Sequence, residues 1–128
     1  MEIRFAISPK ESQSFNTEEL RDAFLVQELM TDDNVKLVYS HYDRMIVGGA
    51  KPVNKVLSLP NHPELRADYF LERREIGIIN VGGDGTVTVD GKEYTLRAKD
   101  CVYLGKGTKD VSFKSADKNK PALFYLLS

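Results

Sequence analysis

The densest group of chemically active side chains is the run Glu72-Arg73-Arg74-Glu75, in which two carboxylates flank two guanidinium groups. Arginine presents a planar fork of N–H donors that suits bidentate contact with a carboxylate. If the run is a strand, alternation places Glu72 and Arg74 on one face and Arg73 and Glu75 on the other. Charges inside a β domain are costly unless paired, so two interpretations stay open. One is carboxylate or sugar recognition, and the other is a buried or interfacial ion-pair network with Arg44, Asp43 or Asp68.

Three further candidates for ligand contact are Arg44, His41 and Lys106. His41 is predicted on the same strand face as Tyr39, either as a half-buried, hydrogen-bonded imidazole or as a functional group. Lys106 lies between two glycines and could approach a carboxylate or phosphate, but the spacing is not that of a phosphate-binding loop. A solvated turn lysine is the alternative. We assign no catalytic residue.

The remaining histidine and the single cysteine do not complete a metal site. Divalent transition metals need about three or four nitrogen, sulfur or carboxylate ligands at one point. His62, between prolines, is predicted in a solvated loop far along the chain from His41, and Cys101 is predicted to be a small core residue. We therefore expect no metal and no cofactor in this chain.

The elements that must position these side chains are mostly strands. Asn16 and Glu19 can form a capping box at the start of one short helix. From Val35 the apolar pattern alternates, as in a half-buried strand. Asp90-Gly91, between two β-rich arms, predicts a type I′ hairpin.

Glycines and apolar runs complete the prediction. We expect a bulge or tight bend at Gly48-Gly49, one long extended segment from Tyr69 to Val81, and positive φ values in the exit Gly82-Gly83-Asp84-Gly85. Short strands at regular spacing predict an all-β sandwich or barrel with one N-terminal helix. No linker or repeat interrupts the chain, so residues 1–128 are predicted to be a single domain.

Composition excludes several partners. The formal net charge is -1, with 18 basic and 19 acidic residues, so there is no broad field for nucleic acid or anionic lipid. The longest apolar stretches are far shorter than the ~20 residues of a spanning helix, and the N-terminus does not resemble a secretory signal. A lone thiol fits a reducing compartment, so a cytoplasmic location is expected.

The spacing of Glu75, Gly82, the Asp-Gly hairpin, Asp100 and Gly107 resembles the two consecutive motifs of cupin barrels. The resemblance implies a cupin-like β-barrel or jelly-roll sandwich. The histidines of metal-binding cupins would fall at Tyr69 and Leu71, or at Asp68 and Phe70, and the last one at Asp110. None of these positions holds a histidine.

A narrower resemblance runs through nearly the whole chain. The segments 39–49 (YSHYDRMIVGG), 69–77 (YFLERREIG), 103–107 (YLGKG) and 20–26 (LRDAFLV) are similar, in the same order, to those of the 5-keto-4-deoxyuronate isomerases. Members of that family are bicupins, and the chain resembles their N-terminal half.

The resemblance implies a ketol-isomerase that interconverts 4-deoxy-L-threo-5-hexosulose uronate and 3-deoxy-D-glycero-2,5-hexodiulosonate in the breakdown of pectin-type uronates. It also implies zinc in a C-terminal cupin that these residues do not contain, a uronate substrate and a homo-oligomer. This half is then expected to be structural and inactive alone. Two alternatives stay open: a stand-alone, metal-free cupin that binds a small acidic sugar in an accessory or regulatory role, and a purely structural, dimer-forming barrel.

Overall fold

Two β-sheets face one another in the computed structural model, which describes residues 1–128. In chain order the elements are β1 (Glu2–Arg4), α1 (Pro9–Ser12), α2 (Thr17–Phe24), β2 (Val35–Ser40), β3 (Ile46–Ala50), β4 (Leu57–Ser58), a 3-10 turn (Pro63–Leu65), β5 (Ile76–Asn80), β6 (Gly85–Val89), β7 (Lys92–Leu96), β8 (Cys101–Leu104), β9 (Val111–Ser115) and β10 (Phe124–Leu127). The predicted all-β sandwich is confirmed.

Strand order is not sequence order in either sheet. The larger sheet runs β1-β2-β3-β10-β5-β8 and the smaller β4-β9-β6-β7. Only β1 and β2 pair in parallel, and the other neighbours are antiparallel. The last strand therefore lies in the middle of the larger sheet, between β3 and β5.

The space between the sheets is filled by apolar side chains. Sixteen buried residues form one cluster, and Phe113 and Phe124 meet inside it with ring centroids 5.4 Å apart. Both of these rings are fully buried. Because burying one large apolar side chain stabilises a fold by roughly 1.5–3 kcal/mol, this interior is the main source of stability.

The predicted helix is α2, and its capping box is present. The Asn16 side chain accepts a hydrogen bond from the backbone N–H of Glu19, and the Glu19 carboxylate accepts one from the backbone N–H of Asn16. A shorter helix, α1, precedes it with a second capping box from Ser8 and Glu11, which we did not predict. None of the helices has the length and apolar character needed to cross a bilayer.

The predicted hairpin joins β6 and β7. Asp90 and Gly91 both have positive φ, 46° and 84°, as a type I′ turn requires, and Val89 pairs with Lys92. The Asp90 carboxylate also accepts the backbone N–H groups of Lys109 and Asp110. The turn is thereby tied to the segment that precedes β9.

The predicted long strand from Tyr69 to Val81 is wrong in its first half. Only Ile76–Asn80 is a strand, and the preceding residues turn. Phe70 and Leu71, adjacent in sequence, are both buried at 4% and 1% exposure. Neighbouring residues of a strand point to opposite faces, so burial of both in one core requires a turn.

The predictions for Gly48-Gly49 and for the glycines of segment 82–85 are wrong for the same reason. Other parts of the chain pass close to these glycines, and their φ angles are not unusual. Gly48 and Gly49 lie within β3, and neither they nor the glycines of segment 82–85 have positive φ. A Cβ on Gly83 would lie only 2.0 Å from the carbonyl oxygen of Lys120.

The prediction that Cys101 is a core residue is also wrong, because its side chain is exposed on β8.

Candidate functional site

A pocket of about 180 Å³ opens at one end of the sandwich. We call it the barrel mouth. It is lined by Tyr39, Glu64, Leu65, Ala67, Phe70, Arg73 and Arg74. The inward face of β2 supplies Tyr39, the 3-10 turn supplies the glutamate, and the turn before β5 supplies both arginines.

Arg74 is the best-anchored charge in the barrel mouth. Its Nε donates to Ser128 Oγ at 3.1 Å, and its Nη2 donates to the backbone oxygen of Arg44 at 2.8 Å. Its guanidinium carbon lies 5.8 Å from the centre of the Tyr39 ring, within cation–π range. The Nη1 group takes no part in these bonds and is free to bind a ligand.

Arg74 has no carboxylate partner. The ion pairs of the structure join Arg4 to Glu2, Lys51 to Asp32 and Arg73 to Glu72. The ion-pair network expected around Arg74 is therefore not formed. Partial burial lowers the pKa of Arg74, although the group stays a cation at any physiological pH. A half-buried cation held by neutral oxygens attracts an anionic ligand.

Ser128 joins the barrel mouth to the sheet. Its side-chain hydroxyl accepts from Arg74 and donates to the backbone oxygen of Glu75 at 2.6 Å. Its backbone N–H and C=O exchange hydrogen bonds with Ile46, at 2.9 and 2.7 Å. The guanidinium is thus fixed by the last residue of the chain, which we did not predict to have a functional part.

The four residues of the charged run do not alternate as predicted, because they do not form a strand. Arg73 and Arg74 both line the barrel mouth. The Glu72 carboxylate instead accepts the backbone N–H of Asp68 at 2.9 Å and lies 3.9 Å from Arg73 Nε. Since Arg73 is largely exposed, that pair contributes little to stability.

Glu75 lies outside the barrel mouth. Its carboxylate accepts a short hydrogen bond from the Tyr103 hydroxyl on the outer side of the larger sheet. This bond stabilises the protonated phenol and raises the pKa of Tyr103. The predicted grouping of Glu75 with a ligand-binding arginine is not what the structure brings together.

The other candidates surround the site without lining it. His41 follows β2, is exposed, and stacks on Phe5 with ring centroids 4.8 Å apart, so the half-buried, hydrogen-bonded interpretation is wrong. It also meets the edge of Tyr39 at 5.2 Å. Arg44 is exposed in a turn and offers only its backbone oxygen. Lys106 is exposed in the turn after β8.

His62 is not fully solvated as predicted. It is half-buried, and its Nδ1 lies 3.4 Å from the N-terminal amino group of Met1. Partial burial, together with the positive charge of that amino group, lowers the pKa of His62. A protonated imidazole is therefore disfavoured at this position in the folded protein.

The positions where metal-binding cupins carry histidines are occupied by core or surface residues. Phe70 and Leu71 are buried in the apolar cluster, while Asp68 and Asp110 are exposed. No group of three or more histidine, cysteine, aspartate or glutamate side chains is arranged to hold a metal ion. The residues present do not fit a catalytic metal, and the barrel mouth offers the guanidinium groups of Arg73 and Arg74 beside the carboxylate of Glu64.

Curated relatives match this chain from end to end. A 4-deoxy-L-threo-5-hexosulose-uronate ketol-isomerase from Lachnoclostridium phytofermentans is 53% identical over 128 residues, which is 100% of this chain and 46% of that protein. The protein of the same name from Halalkalibacterium halodurans is 50% identical over 128 residues, with the same coverage. This chain is homologous to the N-terminal half of these ketol-isomerases. It spans about half the length of the curated relatives that it matches.

Solved structures similar to this ketol-isomerase homologue include cupins. A cupin-2 domain protein from Shewanella frigidimarina covers 91% of this chain and 95% of its own, with a TM-score of 0.51 and 10% identity. The cupin domain of Schizosaccharomyces pombe Cnp3 covers 73% of this chain and 61% of its own, with a TM-score of 0.53 and 13% identity. No protein-family model matches the chain. The expected cupin-like fold is confirmed.

Proposed function

We propose that this chain is the N-terminal, non-catalytic domain of a ketol-isomerase. The whole protein would interconvert 4-deoxy-L-threo-5-hexosulose uronate and 3-deoxy-D-glycero-2,5-hexodiulosonate in pectin and uronate catabolism. The observation that supports the proposal most strongly is the identity of 53% with a ketol-isomerase over the full length of the chain. The chemistry is proposed to reside in the polypeptide that corresponds to the remaining half of the relatives.

The interior of the domain supports this division of labour. A ketol isomerisation moves a proton between neighbouring carbons, so a catalyst must polarise a carbonyl and place a base beside the C–H bond. The space between the sheets holds apolar side chains and the buried amide of Asn80, which is engaged by the backbone of Gly83 and Leu96. Neither a base nor a carbonyl-polarising group faces a cavity there.

The barrel mouth is proposed to bind the carboxylate of a uronate. Arg74 supplies a fixed guanidinium with a free edge, Arg73 supplies a second charge, and Tyr39 supplies an aromatic wall. A charge-assisted hydrogen bond is worth about 1.5–3 kcal/mol, or roughly 10- to 150-fold in binding. Of the remaining substrate-binding candidates, Arg44, His41 and Glu72 each contact a residue that lines this pocket, and Glu75 and Lys106 are kept as outer contacts.

Three further features of the whole protein are proposed. A zinc ion is proposed in the second half, as the family resemblance implies, where residues outside this chain would hold it. A homo-oligomer is supported by the unpaired edges of β1 and β8 in the larger sheet and by the exposed rings of Phe5 and Phe24. A cytoplasmic location is supported by the unpaired Cys101 thiol. Light scattering and cell fractionation measure the last two directly.

The test of the barrel mouth is a reconstituted enzyme. This chain is co-expressed with the second half of the L. phytofermentans relative, and conversion of the uronate is followed by proton NMR. We expect Arg74→Ala to raise KM by about tenfold or more with a smaller effect on kcat, since the residue contacts the carboxylate and not the reacting carbons. Arg74→Lys is expected to recover part of the affinity, because it restores the charge without the fork.

The matched control is Arg97→Ala, since Arg97 is exposed and lies outside the barrel mouth. It removes the same charge and is expected to leave KM unchanged. If Arg74→Ala leaves KM at the wild-type value, the barrel mouth does not bind the substrate. If both variants raise KM equally, the effect is one of net charge and the assignment of the site is wrong.

A second candidate function is a stand-alone cupin that binds a small acidic sugar in an accessory or regulatory role. The observation that favours it is that Arg74 has no carboxylate partner within this chain. Calorimetric titration of the 128-residue chain with galacturonate, with Arg74→Ala as control, tests it. Saturable binding that depends on Arg74, together with an inactive reconstituted mixture, would favour this alternative.

A further inference from the structure

The larger sheet exposes an apolar surface on the side that faces away from the core. We call it the outer sheet face and define it by Val47, Ile79, Tyr103, Tyr125 and Leu127. Strand register places these side chains side by side. Val47 pairs with Leu127 across β3 and β10, and Tyr125 pairs with Ile79 across β10 and β5.

Three of the five side chains of the outer sheet face are exposed, and Val47 and Tyr125 are partly buried. Ile79, Leu127 and Tyr103 are 38%, 40% and 65% exposed. Gly77 lies between Leu127 and Tyr103 in the same row, and a Cβ placed on it would meet only one atom, at 3.9 Å. The glycine therefore leaves a furrow between two large side chains, into which another surface can insert.

The chain covers part of the outward face of this sheet. Over β3, a Cβ on Gly49 would meet the Leu29 backbone oxygen at 2.5 Å and the Met30 sulfur at 2.9 Å, so the segment before β2 packs tightly there. The outward sides of β10, β5 and β8 receive no such cover. A contiguous apolar surface of this kind is typical of an interface.

The rim of the outer sheet face is polar. The hydrogen bond between Glu75 and the Tyr103 hydroxyl borders the apolar rows on the β5 and β8 side. Protein interfaces commonly combine an apolar centre with a polar, hydrogen-bonded rim and are enriched in tyrosine. The composition of this face therefore fits a protein partner better than a small ligand.

The place of β10 in the sheet and the length of the relatives indicate which protein segment can cover the face. The last strand, β10, lies in the middle of the larger sheet, and Leu127 is itself part of the outer sheet face. The curated relatives have more than half of their length outside the matched region. In proteins of the relatives' length, the polypeptide after the position that corresponds to Ser128 would begin beside this face, which gives it a high effective concentration there.

We propose that the outer sheet face is the docking surface for the polypeptide that continues beyond Ser128 in proteins of the relatives' length. The proposal rests on the proposed function, since it takes that polypeptide to be the second half of the isomerase. Docking buries the two apolar rows and places the second half against the strand from which it emerges. Arg74 and the barrel mouth then lie beside the junction, because Ser128 is bonded to Arg74.

The test uses the 128-residue chain co-expressed with the second half of the L. phytofermentans relative. Complex formation is measured by size-exclusion chromatography with light scattering, and affinity by calorimetry. Ile79→Lys puts a charge in the middle of the outer sheet face. Thr95→Lys is the matched control, since Thr95 is an exposed strand residue on the smaller sheet. Circular dichroism and thermal melts check that both variants fold.

We expect Ile79→Lys to weaken the complex by roughly tenfold or more and Thr95→Lys to leave it unchanged. Should Ile79→Lys fail to fold, Tyr103→Lys tests the same face at a more exposed position. A complex that forms equally well with either face variant overturns the proposal. The proposal is also overturned if the face only joins two copies of this chain. The result would then be a homodimer that Ile79→Lys separates, with the second half unbound.

Isomerase activity separates the two proposals. A complex that depends on Ile79 but does not convert the uronate supports the docking surface and contradicts the proposed function. A complex that converts the uronate and ignores Ile79→Lys supports the proposed function and overturns the docking surface. Absence of any complex overturns the docking surface whatever the activity of the mixture.

Discussion

Truncation of Leu71 tests whether the interior is a packed core rather than a ligand chamber. Leu71 occupies one of the positions where a metal-binding cupin would carry a histidine, yet it is only 1% exposed and belongs to the cluster of 16 buried residues. Replacing a buried leucine with alanine removes apolar contacts and leaves a cavity, at a cost of about 2–5 kcal/mol. We expect Leu71→Ala to cost about 3 kcal/mol.

The expected loss for Leu71→Ala is a large part of the free energy of unfolding of the domain. A domain of this size has a free energy of unfolding of about 5–15 kcal/mol, and 1 kcal/mol moves the melting temperature by roughly 3–5 °C. Leu71→Ala should therefore lower Tm by about 10 °C. Urea unfolding measures the free energy directly, with the slope m unchanged. The matched control is Leu127→Ala, since Leu127 is 40% exposed, and it should cost less than about 1 kcal/mol.

Equal and small losses for the two leucine variants would refute the reasoning. They would mean that the turn holding Leu71 is not part of the core. The barrel interior would then be accessible, and no structural feature would place the chemistry outside this domain. Stoichiometric metal binding by the wild-type protein would likewise mean that the barrel interior is accessible.

Three further predictions concern stability. Hydrogen bonds from the Asn54 side chain and from the backbone of Val53 and Asn54 lower the pKa of Asp33 to about 2. The Asp33 carboxylate therefore stabilises the fold above its ordinary pKa of 3.8, and this contribution is lost as the pH falls from 3.8 toward 2. Asp33→Asn should lower Tm at neutral pH and much less at about pH 2. His62 has a lowered pKa, so the unfolded chain takes up a proton first and stability falls as pH drops below the ordinary value of 6.5; His62→Gln should flatten Tm across that window. Gly83→Ala should destabilise the fold by about 3 kcal/mol or more, because its Cβ would overlap the Lys120 carbonyl. Urea unfolding measures this loss.

The elements with a strong local signal were predictable from sequence. The hairpin around Asp90-Gly91 and the cap of α2 at Asn16 depend on residues within a few positions of one another, and both are confirmed. The cupin-like sandwich followed from the spacing of strands and motifs. In each case the local chemistry and the overall fold favour the same conformation.

The failures concern long-range packing. A run such as 69–75 has the composition of a strand, but Phe70 and Leu71 are both drawn into the core, and no local pattern records that. The role of Gly83 depends on Lys120, a residue far along the chain. Periodicity within one segment cannot show which distant backbone will approach it.

The candidate site was predicted in part. The sequence singled out Arg73 and Arg74 as candidates for ligand contact, and both line the barrel mouth, but Tyr39 and Ser128 were missed as the supports of Arg74. Ser128 meets Arg74 across 54 positions of sequence, and only the central place of β10 brings them together. A signal was present in the alternation of β2, which puts Tyr39 on the inward face with Leu37.

The proposed division of a ketol-isomerase into a binding half and a chemical half is tested most directly by turnover of the isolated chain. Purified 128-residue protein is incubated with 4-deoxy-L-threo-5-hexosulose uronate and zinc, and proton NMR follows the appearance of the diketone. We predict no conversion above the uncatalysed rate, and conversion once the second half of a relative is added. Turnover by this chain alone, at a rate comparable with that of a full-length relative, would contradict the account.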